Sequence, residues 1–166
     1  AAPTPAADAT PKEARPGTTG VAAALRVECN DGLPSQLCDV VREAALAAAG
    51  KSYRIIETAK VEAVLSREPA LRSCRREDCR VAISDQLGAA KLIDVTIQTK
   101  GRSLTGTVSI YDAAAKGISG DTELQPIKRD EPHIRKAVAE AVDYVIGTQR
   151  LTAPLRLNVQ PEGALV

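Results

Sequence analysis

Four cysteines, at positions 29, 38, 74 and 79, are the residues of this chain best suited to chemistry. Thiols can bind metal, cycle between redox states or form structural bridges, and their spacing discriminates among these. Tetrahedral zinc favours close pairs such as two C-x2-C units, and 29, 38, 74 and 79 do not supply them. A redox-active pair usually reads C-x-x-C, and neither pair here does. Four buried free thiols in a cytosolic protein are the plain alternative. An even count in an exported chain instead favours bridges. Three pairings are possible, and the expected one is Cys29–Cys38 with Cys74–Cys79. Cys29 ends a strand and Cys38 lies in the first turn of the next helix. Cys74 and Cys79 flank a helix start. Either pair can approach to the ~5.5 Å between Cα atoms that a disulfide needs.

The other chemical candidates are thinner. Arg67, Arg72, Arg75, Arg76 and Arg80 form the densest basic cluster, diluted by Glu68, Glu77 and Asp78. No aromatic is interleaved for base stacking, so a solvated loop is expected, or a surface for an acidic protein patch or anionic glycan. Gly50-Lys51-Ser52 lacks the first glycine of a phosphate loop and runs helix to strand, the reverse of that motif. It reads as a helix end. His133 is the only histidine and is expected to be solvated. No Gly-x-Ser-x-Gly elbow accompanies it. Asp94, on the polar face of a strand, is the one carboxylate worth checking for a perturbed environment, although an exposed position is expected. No catalytic, cofactor or metal site is expected.

The elements that position these residues follow from periodicity. Residues 21–29 alternate as a strand. Asn30-Asp31-Gly32 turns the chain, and Ser35 can cap a helix carrying Leu37, Val40, Val41, Ala44, Ala45 and Ala48, stopped by Gly50. Residues 53–56 form a short strand. Thr58 caps a brief helix with Val61, Val64 and Leu65 on one face, and 66–76 is irregular around Pro69. A helix is predicted over 77–87, strands over 91–99 and 103–112 joined at Gly101-Arg102, and a strand near 118–124. A helix opens at Asp130-Glu131-Pro132 and ends at Gly147, and a last strand starts from Pro154. This order predicts an α/β fold: a mixed five-stranded sheet with a parallel βαβ start, an antiparallel meander and helices packed on it.

Composition sets the outer limits. The 166 residues contain no Phe, Trp or Met, so the core must be built from Ala, Val, Leu and Ile. A net charge of +1 gives no field that implies nucleic acid. No apolar run is long enough to span a bilayer. Residues 1–20 hold four of the ten prolines and no apolar period, and are expected to be a disordered or extended tether left by removal or trimming of a leader.

With this order in hand a family comes into view. The helix ending at Gly50, the strand Tyr53–Ile56, Val61, Val64 and Leu65, the Cys74–Cys79 pair, Leu87-Gly88-Ala89 before the strand through Val95, and the Asp112 to Lys116-Gly117 turn together resemble the N-terminal α/β domain of TolB and CsgG-like envelope proteins. The likeness covers about residues 21–147. It is greatest to versions with a Cys pair, in secreted or lipid-anchored proteins of predatory and gliding bacteria. Pro161-Glu162-Gly163-Ala164 resembles the opening of a PEGA domain, so 154–166 is expected to be the first strand of a truncated module. An accidental turn is the alternative.

The resemblance implies a periplasmic or surface-anchored, non-enzymatic interaction or assembly module acting on envelope proteins, with peptidoglycan or glycan binding as the alternative. Strand addition along 103–124 is one available mechanism. The expected partner surface comprises Arg72, Arg75, Arg76, Arg80, Thr105, Thr107, Ser109 and Tyr111.

Overall fold

The computed structural model describes residues 20–165 except Asp31, with side chains through Gln149. The expected tether, residues 1–20, lies almost wholly outside the described residues. The elements run β1 (Ala22–Cys29), α1 (Ser35–Ala49), β2 (Arg54–Ile55), α2 (Thr58–Arg67), a 3-10 turn (Pro69–Leu71), α3 (Glu77–Leu87), β3 (Lys91–Lys100), β4 (Ser103–Asp112), β5 (Gly117–Lys128) and α4 (Glu131–Leu165). One sheet has the order β2-β1-β3-β4-β5. β1 runs parallel to β2 and β3, and β3, β4 and β5 form an antiparallel meander. This is the mixed five-stranded α/β sheet that the element order predicts.

Each sheet face carries its own core. On one face α1 and α4 pack over Ala23, Leu25, Ile93, Val95, Ile97, Leu104, Val108 and Ile110. On the other α2, the 3-10 turn and α3 cover Ala24, Leu92 and Tyr111, with Val61, Leu65, Leu71 and Ile83 between. Small residues allow close layers where aromatics are lacking. A Cβ on Gly120 would sit 3.1 Å from the Val145 carbonyl oxygen, so that glycine lets α4 approach β5. Gly88, at φ +65°, ends α3 with its amide on the carbonyls of Asp85 and Ser84, a left-handed cap that glycine adopts without strain.

The structure departs from the sequence reading in several local features. Ser35 and Thr58 are the first helical residues, behind Pro34 and Glu57, and no side-chain cap bond forms at either helix. Gly147 does not end α4. The helix continues through Leu165, so the segment from Pro154, where a strand is predicted, is helical. The reason lies partly in Gln149. It is buried, donates to the Tyr53 hydroxyl at 2.5 Å and accepts from Lys91 Nζ at 3.1 Å. Those bonds tie the helix to β3 and to the chain before β2 beyond the glycine. A glycine inside a helix costs only about 1 kcal/mol.

Candidate functional site

β1 and β3 pair in parallel so that Arg26 lies beside Asp94. Both point to the face beneath α3 and the loop 68–76, and both are buried, at 1 % and 3 % exposure. Asp94 is therefore not the exposed strand residue that alternation predicts. Arg26 grips it with two nitrogens, Nε at 2.5 Å and Nη2 at 2.9 Å. Such a bidentate pair is among the stronger charge-assisted contacts. The remaining nitrogen, Nη1, donates to the carbonyls of Leu71 at 2.5 Å and Cys74 at 2.8 Å. One guanidinium thus joins two strands to the loop that roofs them.

A second arginine meets the same carboxylate. Arg80, on α3, donates from Nε to Asp94 at 3.2 Å and from Nη1 to the Arg75 carbonyl. Arg75 reaches back over the sheet to Glu28 at 3.0 Å and to the Thr96 hydroxyl at 3.2 Å, and Ser73 donates to the other Glu28 oxygen at 2.5 Å. Burial lowers the Arg75 guanidinium pKa from its usual value; Asp94 opposes this, Arg26 adds to it, Glu28 opposes it and Arg80 adds to it. These contacts leave little freedom. Asp94 accepts from both sides and is sealed by the loop, which suits it to holding structure together.

Cys74–Cys79 fastens this roof, and Cys29–Cys38 joins the end of β1 to the start of α1, with Cα separations of 6.0 and 6.1 Å. Among the described residues no cysteine is free. Cys74, Asp78 and Cys79 bring ligand atoms within 4.8 Å of one another, but the two sulfurs are bonded to each other and so do not act as thiolate ligands.

The residues expected to form a partner surface fall into three settings. Arg75 and Arg80 are half-buried and held by contacts within the cluster, and Arg80 keeps one side on the surface. Arg72 pairs with Glu62 of α2 at 3.0 Å, and Arg76, largely exposed, pairs with Asp78 at 3.1 Å. Tyr111 is corrected from surface to core. It is 2 % exposed and packs under α3, where burial and then the charges of Glu77 and Asp85 hold its phenol pKa above the ordinary value. Thr105, Thr107 and Ser109 do lie on the part of that face beyond α3, half-buried to exposed. His133 is solvated and bonds Asp130 at 2.5 Å, which lowers the pKa of that carboxyl.

Sequence reasoning missed Arg26, because alternation assigns it to a polar, solvent-facing row. Its available signal was position: a lone arginine midway through a β1 whose neighbours on both sides are apolar.

Beyond α3, Thr107, Ser109, Ile118, Asp121 and Glu123 surround an open concavity of about 460 Å³, and Arg80 forms its wall. There Arg80, from the cluster, meets solvent-facing polar residues of the meander.

No family model matches the sequence, and no curated protein matches it. Solved structures match in fold. The C-terminal domain of LpoB from Salmonella enterica superposes with a TM-score of 0.50 at 12 % identity, covering 75 % of this chain and 93 % of that one. TolB from Acinetobacter baumannii gives 0.50 at 15 % identity over 82 % of this chain, and the match spans 29 % of TolB. A lipoprotein from Neisseria meningitidis gives 0.46 at 14 % identity, covering 68 % of this chain and 81 % of that one. At such identities the shared property is the fold, and the chain has the α/β fold of the LpoB C-terminal domain and of a segment of TolB.

Proposed function

We propose that this chain is a non-enzymatic interaction or assembly module of the bacterial cell envelope, acting in the periplasm or at the cell surface. The observation that carries the reading is the pair of disulfides on a fold shared with the LpoB C-terminal domain. Such bridges persist in oxidising compartments. The buried charges support it further. Asp94 is bound by two guanidiniums beneath a stapled loop, a setting that gives a substrate no approach to the carboxylate.

Two experiments test the proposal. Intact mass before and after reduction should rise by four hydrogens, two for each bridge; alkylation of all four thiols without reductant would remove the argument for export. A pull-down from envelope fractions with the whole chain should recover a defined partner. Recovery of none, under conditions that preserve the native complex, would count against an interaction role.

A second reading, binding of peptidoglycan or another glycan, is favoured by the hydroxyls and carboxylates around the concavity beside Arg80. It lacks an aromatic platform, since the nearby Tyr111 is buried. Sedimentation with isolated peptidoglycan decides it, and absence of enrichment would discard it.

A further inference from the structure

Among the described residues, part of one sheet face has no helix over it. α1 and α4 together cover one side, whereas on the other α2 and α3 lie over β1, β3 and the Tyr111 end of β4. On this face the rest of β4 and β5 is open among the described residues. Thr107 pairs with Glu123, Ser109 with Asp121 and Tyr111 with Ile118, and the register shift between Ile110 and Tyr111 keeps all three pairs on this one face. Asp121 and Glu123 stand two positions apart on the strand, with one residue between them, roughly 7 Å.

The charges in the groove are unequal in freedom. Arg80 is committed to Asp94 and to the Arg75 carbonyl. Asp121 and Glu123 are exposed, and among the described residues neither has an ion-pair partner. At the other end Ile118 is 42 % exposed, one of two large hydrophobic side chains in that state among the described residues. The surface therefore offers two free carboxylates, a row of hydroxyls, a concave floor and an apolar end.

We infer that this groove docks a basic peptide segment of a partner protein. The segment lies along β4 and β5 beside α3, with a Lys or Arg held by Asp121 and Glu123 and an apolar side chain against Ile118. The inference rests on the interaction-module reading above and adds the site and the chemistry of the partner. A second copy docked through the same patch would set the carboxylates of each against those of the other, and like charges repel across a two-fold contact. A glycan would find no exposed aromatic to stack on among the residues lining the groove.

The test uses the whole chain and two labelled ten-residue probes. One is built from Lys, Leu and Ser, and the other has Glu in place of each Lys. Fluorescence anisotropy should show binding of the Lys probe alone, with amide chemical-shift changes at 105–109 and 118–123. The double variant Asp121→Lys/Glu123→Lys should weaken it at least tenfold. Asp39→Lys/Glu140→Lys, equal in charge and placed on α1 and α4, should change it less than twofold. Asp121→Asn/Glu123→Gln serves if the first pair fails to fold. No binding of the Lys probe, or equal weakening by the control pair, overturns the inference. So does binding that appears only once residues 1–19 are removed, because the chain's own Lys12 and Arg15 would then be the occupant. Binding of soluble peptidoglycan fragments lost in the same variant would also overturn it. The envelope pull-down separates the two levels. Partners captured equally by wild type and Asp121→Lys/Glu123→Lys refute the groove and leave the module reading standing; a wild type that captures nothing refutes the module reading itself.

Discussion

Arg26 and Asp94 show how a charged pair can take the place of apolar core. The loop 68–76 contributes only Leu71 as a buried apolar residue, so polar contacts carry much of its attachment, among them the two carbonyls that Arg26 holds. Removing one member of a buried pair leaves the other charge uncompensated, at a cost of about 3–5 kcal/mol. Asp94→Ala should therefore lower the urea-unfolding free energy by about that amount, since two guanidiniums lose their acceptor. Arg26→Met/Asp94→Leu should recover little of that loss in the same assay, because the Arg80 guanidinium still lacks its acceptor and the Leu71 and Cys74 carbonyls lose their donor. A second residue-scale expectation concerns acid. Burial raises the Asp112 pKa, but the bond and charge of Lys91 and the amides of Ala115 and Ala114 outweigh it and set the carboxyl below its usual 3.8. A depressed carboxylate contributes stability above its unfolded pKa and loses it as pH falls through the folded one. Asp112→Asn should thus flatten the fall in melting temperature below about pH 5 and leave its slope from pH 6 to 8 unchanged.

At the scale of elements, β4 depends on a glycine. A Cβ on Gly106 would overlap the carbonyl oxygen of Thr96 on β3, so Gly106→Ala must push β3 and β4 apart. Overpacking of this kind costs typically about 1–3 kcal/mol; chemical denaturation should place Gly106→Ala at the upper end. Gly88→Ala, where the space is open but φ is +65°, should cost about 1–2 kcal/mol from left-handed strain alone. The element order itself was readable. The helix 77–87 and the strand 103–112 stand at their predicted limits, because strict alternation, a left-handed Gly88 and an acidic first turn all agree. The failures share one cause. Alternation tells which side chains point the same way along a strand, and says nothing of whether another layer covers that side. Arg26, Asp94 and Tyr111 sit in a polar row that the roofing loop and α3 happen to bury. The contacts that make burial tolerable join residues 68 apart in sequence, where no local pattern can register them. Gly147 failed as a stop for a similar reason, since Tyr53 and Lys91 anchor the helix from afar.

For the whole molecule, both disulfides lie in the parallel half of the sheet and its coverings. By chain entropy the Cys74–Cys79 loop contributes about 2 kcal/mol and the longer Cys29–Cys38 loop somewhat more. Cys74→Ser/Cys79→Ser should therefore lower stability by about 2 kcal/mol, and hydrogen exchange should quicken over 68–76 while β3 and β4 remain protected. β1 receives most of these fastenings. It is flanked by β2 and β3, paired with β3 at seven positions from Ala23 to Cys29, bridged at Cys29 and crossed by the Arg26 grip. A pull applied at its N-terminal end acts along the strand, so its hydrogen bonds to both neighbours bear the load together instead of opening one after another. Tension entering through Gly20 would thus be carried in shear by the seven β1–β3 pairs before any of them could unzip singly.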